Sequence, residues 1–405
     1  MRNMNRFRFL GLATIVSSVV AALCLRGLLA YASSFPAGSY RAEQQRHGYT
    51  PRVPHVSPGS DVFGAEAAHP AGDTQQQELD ELTYLPLVLK RYCGPWGPDY
   101  RRFGFNWCGT PIGQYDIPRL NAGRYTRYPG FLADPPPLGL EFSQIIRLNE
   151  NFNPPSETDI VDYATAHPGT LWLIGNEPDC IWQDNVTPRQ YAEMYHELYG
   201  IIKGTDPSAK VAIGGVVQPT PLRLRYLDLI LQEYQGLYGE MIPVDVWNVH
   251  NFILEEGPSG AGCGYPPGVL NPEDDARALD PQDHDNMTIF ADQILAFRQW
   301  MNNKGERNKP LIVSEYGILF HAQMGFDEPR VERFMIATFD YFLSATSTSV
   351  GHPNDCNRLV QAWYWFSLDW KNLWGSETYG HLFDPDTGQI TPLGIAYGDY
   401  TSSLP

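Results

Sequence analysis

Apolar runs of strand length recur along the chain from residue 102 onward. They are RFGFNWC (102–108), NAGRYTRYP (121–129), LEFSQIIRL (140–148), LWLIG (171–175), KVAIGGV (210–216), VDVWNVHNF (244–252), PLIVSEYG (310–317) and LVQAWYWFSLDW (359–370). Each is short, rich in aromatic or branched residues, and bounded by Gly, Pro, Asn or Asp, which is how strands read. Between the later runs the period changes from two to 3.6, predicting helices over 156–169, 187–204, 221–239, 287–303 and 328–345. Ser156 with Asp159 forms a start signal for the first of these, and His167-Pro168-Gly169 a stop. In the second, Thr187 caps, Pro188 takes the first turn, and Tyr191, Met194, Tyr195, Leu198 and Ile202 share a face.

Strands alternating with helices predict a parallel sheet of the α/β class. Eight of them predict closure into a (β/α)8 TIM barrel over residues 99–405. A doubly wound sheet would carry a G-x-G-x-x-G fingerprint after its first strand, and none occurs there. A barrel of this kind gathers function at the carboxyl ends of its strands. Glu177, His250, Glu315 and Trp365 all stand at or near such ends, on the fourth, sixth, seventh and eighth strands. A carboxylate at the rim of a buried strand is partly desolvated, and desolvation favours the protonated form that a general acid needs. A lone strand-end glutamate is more often an ion-pair partner. Two on one barrel rim point instead to glycoside hydrolysis by a carboxylate pair.

Asn176-Glu177-Pro178 after the fourth strand and Ser314-Glu315-Tyr316-Gly317 on the seventh carry a resemblance to a known group. The chain resembles the clan A glycoside hydrolases, the "4/7" retaining barrel glycosidases, over residues 100–405. Within that clan it is most similar to small secreted barrels with G-N-E-P and [ST]-E-[FY]-G, including the fungal Asl1-like β-1,3-glucanase group. The resemblance implies Glu177 as acid/base and Glu315 as nucleophile, with carboxyls roughly 5–5.5 Å apart. It implies that Asn176 holds the sugar 2-hydroxyl and that His250 hydrogen-bonds the nucleophile. Trp363 and Trp365 bracket the position of a substrate-facing tryptophan, with Trp365 preferred. Arg124 and Arg127 straddle the rim of strand two, and Arg127 is taken into the site together with Tyr316. Trp182, with Trp370, Trp374 and Tyr379, is a candidate stacking platform for sugar rings.

The expected function is thus a secreted retaining glycosidase (EC 3.2.1.-) cutting a β-linked polysaccharide or oligosaccharide by double displacement. The alternative is a catalytically inactive barrel that binds glycans at a cell surface; the presence of both glutamates and Asn176 counts against it. No cofactor, metal or obligate protein partner is expected. Asp283-His284-Asp285 is a possible ligand trio, but it lies in the Gly/Pro/Asp-rich loop 253–286, with no H-x-H or H-E-x-x-H elsewhere. The acids of FDPDTGQI (383–390) fail calcium-loop spacing and read as a hairpin turn.

Composition supports an exported protein. Residues 1–32 have a basic start (Arg2, Arg6, Arg8), an apolar run from Phe9 to Leu25 and Ala30-Tyr31-Ala32, which reads as a signal peptide or, if uncleaved, an N-terminal membrane anchor. Residues 33–98 comprise a disordered linker and the lead-in to the barrel. The whole chain has net charge −17; residues 33–405 hold 46 acidic side chains against 25 basic ones (29 less the four arginines of the first 32), a net −21. That field opposes nucleic acid and anionic membrane and fits a neutral substrate. The location expected is extracellular, with anchoring at the cell envelope as the variant. Of six cysteines, none forms C-x-x-C. Cys93 and Cys356 precede strands one and eight, neighbours in a closed barrel, and are the expected disulfide; among Cys108, Cys180 and Cys263 no pair is singled out.

Overall fold

The computed structural model describes Gly94 and residues 96–258, 262–373 and 376–404. The leader, the linker and Cys93 of the expected Cys93–Cys356 pair lie outside the described residues, as does Trp374; Cys356 is disulfide-bonded. Among the described residues, no helix is long and apolar enough to cross a membrane.

Eight parallel strands form the centre: β1 (Phe103–Trp107), β2 (Arg124–Arg127), β3 (Glu141–Ile146), β4 (Leu171–Asn176), β5 (Lys210–Gly215), β6 (Trp247–His250), β7 (Leu311–Tyr316) and β8 (Ala362–Trp365). Their order runs β5-β4-β3-β2-β1-β8-β7-β6. Parallel bridges Ala212–Val246 and Val216–Val249 join β5 to β6 and close the ring. The result is a (β/α)8 TIM-barrel architecture. One set of alternate side chains fills the lumen, among them Ile145, Leu173, Ala212, Ile312 and Tyr364. The other set, with Phe103, Trp172, Ile213, Val313 and Trp363, meets the helices in a larger aromatic core. Each buried Ile, Leu, Val or Phe among them contributes about 1.5–3 kcal/mol by leaving water.

Among the described residues six helices pack outside: α1 (Glu157–Ala166), α2 (Pro188–Thr205), α3 (Pro221–Tyr238), α4 (Met287–Asn303), α5 (Glu328–Ser344) and α6 (Pro392–Ser402). Ser156, Thr187, Thr220, Asn286, Asp327 and Thr391 each accept a first-turn backbone N–H, worth about 1 kcal/mol apiece. The connection after β1 carries only the short 3-10 turns Ile112–Gln114 and Ile117–Leu120, and the connection after β2 runs to β3 with no helical element. Helix α6 had no counterpart in the sequence pattern, because Gly394 and Gly398 interrupt it. Both sit where backbone approaches closely: a Cβ would lie 2.1 Å from Leu382 O and 2.2 Å from Arg119 O. The last strand is shorter than its apolar run, and residues 366–370 leave the sheet to line its mouth.

Candidate active site

Strand β4 does not simply stop at its glutamate. Gly175 has φ +93° and Glu177 φ +44°, so the chain turns through the left-handed region at a non-glycine residue. Such a residue stores strain of order 1–3 kcal/mol. Hydrogen bonds hold it there: the Glu177 amide donates to Gly215 O (3.0 Å), Cys180 N to Glu177 O (3.0 Å), and Asn176 N to Asp184 Oδ2 (2.7 Å). The turn directs the Glu177 carboxylate to the barrel axis, 5% exposed.

Bulges re-aim the partners on β6 and β7. Register slips between Val249 and His250, and again between Val313 and Tyr316, and the slip leaves His250 opposite Glu315. His250 Nδ1 lies 2.9 Å from Glu177 Oε1 and 3.7 Å from Glu315 Oε2. Carboxylate oxygens of the two glutamates come within 4.8 Å of each other. The barrel therefore unites residues 177, 250 and 315 at one point. Contrary to expectation, the imidazole bonds Glu177 rather than Glu315. Gly215 makes room for it, since a Cβ there would sit 2.5 Å from His250 Cδ2.

Burial pushes the Glu315 carboxyl up to about 7; His250 opposes this and the charge of Glu177 adds to it. Its Oε1 is buried with no hydrogen-bond partner among the described residues. For His250, burial disfavours the charge, but Glu315 and Glu177 outweigh it and raise the pKa. Asn176 is buried beside Glu177, and its Nδ2 is also unpartnered among the described residues. Two unpaired polar atoms at a desolvated carboxylate pair are suited to a hydroxyl-bearing ligand.

The tryptophans of β8 are a correction. Ala362 and Tyr364 face the lumen, so Trp363 and Trp365 point outward into the helix layer. Trp363 stacks on Phe342 (5.0 Å), and Trp365 meets Tyr316 edge-on (5.4 Å) while its Nε1 donates to Gly380 O. Tyr316 likewise points outward, against Phe290 and Phe342. The aromatic wall of the mouth is instead Phe252, Phe366, Tyr128 and Trp370: Phe252 meets Phe366 at 6.4 Å, and Tyr128 meets Phe366 and Trp370 at 6.0 and 5.7 Å. Beside it a small cleft is lined by Ile318, Leu319, Phe366, Ser367, Trp370, Thr378 and Gly380. Trp182 lies half-buried in the turn that follows Glu177, and Tyr379 half-buried beside the cleft.

The arginines are a second correction. Arg124 is at the amino end of β2, paired with Glu141 at 2.6 Å. Arg127 follows the outward parity of Tyr125 and rests over the Trp107 ring (5.7 Å). The arginine nearest the acids electrostatically is Arg147, just past β3, which favours the ionised form of Glu315. It is buried, bonded to Asp184 Oδ1 (2.7 Å), Pro129 O and Gln183 Oε1, with its guanidinium over the Phe152 ring. A lone arginine closing the apolar run QIIRL was its only signal.

The described residues of the loop 253–286 are pinned to the elements around them. Cys180 and Cys263 form a disulfide across it, leaving Cys108 free. Arg223 of α3 is fully buried between Asp179 (2.7 Å) and Glu256 (3.0 Å). In Asp283-His284-Asp285 the side chains diverge. His284 spans Ile253 O and Leu319 N, and Asp285 pairs with Arg330. Burial holds His284 down to about 4, in the neutral form that accepts from Leu319. Asp384 and Asp386 are both occupied by Lys371. Glu177, His250 and Glu315 are close enough to hold an ion, but Glu177 and His250 already engage each other directly.

No family model and no curated protein matches the chain. Solved structures do match. An endo-β-1,3-glucanase of GH128 subgroup II from Pseudomonas viridiflava is 15% identical, with TM-score 0.50, covering 75% of this chain and 98% of its own. A subgroup I endo-β-1,3-glucanase from Amycolatopsis mediterranei in complex with laminaritriose is 16% identical, TM-score 0.46, over 74% and 99%. A subgroup VII oligosaccharide-binding protein from Trichoderma gamsii is 15% identical, TM-score 0.44, over 76% and 96%. The likeness is one of fold.

Proposed function

We propose that this protein is a secreted retaining glycoside hydrolase acting on a β-linked glucan, with Glu177 as acid/base and Glu315 as nucleophile. The observation that carries the reading is the Glu177–His250–Glu315 cluster on the barrel axis. Carboxylate oxygens of the two acids within 4.8 Å of each other support the retaining pair, whose carboxyls lie roughly 5–5.5 Å apart, over the inverting one at about 6.5–9.5 Å. The fold likeness to an endo-β-1,3-glucanase favours a β-1,3-glucan among neutral polysaccharides. Export is supported by the amino-terminal pattern and by the Cys180–Cys263 disulfide, which an oxidising compartment sustains.

In the first step Glu315 attacks the anomeric carbon as Glu177 gives its proton to the leaving oxygen. In the second, Glu177 takes a proton from water, which displaces Glu315. Burial favours a proton on Glu315 in the empty site, whereas attack needs that carboxylate ionised. The positive charge of His250, 3.7 Å from Glu315 Oε2, favours that ionised form, while its Nδ1 stays within hydrogen-bond distance of Glu177 Oε1 at 2.9 Å. The unpartnered Asn176 Nδ2 supports a hydrogen bond to the sugar, and Phe366, Tyr128 and Trp370 are the rings proposed to meet it.

The test is hydrolysis of laminarin and other β-glucans by the full chain, with kcat/KM followed against pH. A rise through about pH 7 as Glu315 ionises is expected. Glu177→Gln should lose on the order of 10²–10⁴-fold and Glu315→Gln fall to background. Binding without cleavage by the parent would leave a glycan-binding barrel, and full activity in Glu315→Gln would overturn Glu315 as the nucleophile.

A further inference from the structure

Strict alternation along β7 would turn Glu315 away from the barrel axis. Ile312 faces the lumen and Val313 the helices, so the residue two after Val313 should face the helices too. The register slip prevents this. Ser314 and Glu315 together stand against the single residue Tyr364 of β8, and the extra residue brings the carboxylate round to His250. Three successive carbonyls of the bulge are held. Phe366 N, just past β8, donates to Tyr316 O (2.8 Å), and Asn251 N, just past β6, to Glu315 O (3.1 Å). Ser314 O accepts from the side chain of Asn106, at 3.0 Å from Nδ2. Asn106 lies on β1, which pairs with β2 and β8 and not with β7. Its amide therefore reaches past a whole strand to meet the bulge. The amide is fully buried, and its Oδ1 has no hydrogen-bond partner among the described residues. An apolar side chain of the same size would avoid desolvating that oxygen. Packing does not account for an asparagine here, whereas its donor does.

We propose that Asn106 is a positioning residue for Glu315: its amide, reaching from β1, clamps the β7 bulge in the form that turns the carboxylate to the axis. The inference rests on the nucleophile reading of Glu315. The same residue ties the bulge to the mouth, because Asn106 O accepts from Leu368 N (2.7 Å) in the segment that leaves β8. Without the amide the bulge can relax toward regular pairing, which swings a side chain to the other face of the strand. Attack needs the reacting atoms about 3–3.5 Å apart and aligned. A small displacement of Glu315 is therefore read in the rate of attack, while the groups that hold the sugar stay where they are.

The test isolates that attack in the full chain. The probe is the 2,4-dinitrophenyl 2-deoxy-2-fluoro-β-glycoside of a β-1,3-linked glucose disaccharide. A Glu315 carboxylate oxygen bonds to the anomeric carbon, and the bond from that carbon to the aryl oxygen breaks, its electron pair leaving with dinitrophenolate. That leaving group needs no proton, so Glu177 drops out of the measurement, and the fluorine slows the hydrolysis that would follow. The labelling rate constant at saturation reports attack, and the half-saturation concentration reports binding. Asn106→Leu should lower the rate constant on the order of 10–10²-fold with half-saturation unchanged. Ser143→Ala removes the partner of the Tyr364 hydroxyl elsewhere in the lumen (2.7 Å) and should keep the parent's rate constant. A parental rate constant in Asn106→Leu, or an equal fall in both variants, would overturn the proposal. Asn106→Ala makes the same comparison if the leucine variant does not fold. Glu315→Gln should not be labelled; labelling of that variant, or none of the parent, would remove the nucleophile reading and this inference with it.

Discussion

Glu315 is a residue whose place in the site opposes its place in the fold. Burial raises its carboxyl from the ordinary 4.5 to about 7. Between those values the native state binds the proton and the unfolded chain does not, so this contribution to stability is full below pH 4.5 and is lost as pH rises through 7. Glu315→Gln removes the titration. Its melting temperature should match the parent's near pH 4.5 and exceed it by a few degrees at pH 8; a variant melting at or below the parent at pH 8 would contradict this. At this scale the sequence was informative about chemistry and poor about direction. Glu177, Glu315, Asn176 and His250 declared themselves by following apolar runs. Trp363, Trp365 and Tyr316 did not reveal their outward parity, because an aromatic residue suits either face of a barrel strand. The small Ala362 was the clue, since a residue that size suits the narrow lumen and fixes the parity of the rest.

At the scale of elements, the eight strands were legible because parallel strands buried on both faces read as continuous apolar runs. Five helices were legible from caps and period. What failed were features set by tertiary contact: a helix interrupted by two glycines, and bulges on β6 and β7 that turn His250 and Glu315 inward. Gly215 shows such a contact at work. It ends β5 with the His250 ring against it, 2.5 Å from where a Cβ would be. Gly215→Ala should displace the imidazole from Glu177 and lower kcat at least tenfold, consistent with the 10²–10⁴-fold that a positioned acid supplies, while circular dichroism stays unchanged. Parental kcat in that variant would mean that His250 is not needed where it stands.

For the molecule as a whole, the barrel explains how acids 138 residues apart in sequence come within 4.8 Å, and why each arrives partly desolvated. A net −21 over residues 33–405 opposes anionic polymers, and the half-buried Tyr128 and Trp370, packed with the buried Phe252 and Phe366, are the rings proposed to meet a sugar. The pattern of runs carried the architecture, and two glutamates carried the chemistry; the identity of the wall needed the fold. The central claim is that Glu315 forms a covalent bond to the sugar and that Glu177 then directs water to break it. Proton NMR of the first product released from a β-1,3-glucan oligosaccharide tests it most directly. The β anomer should appear first, with the α anomer growing only as mutarotation proceeds, and an α anomer appearing first would contradict it.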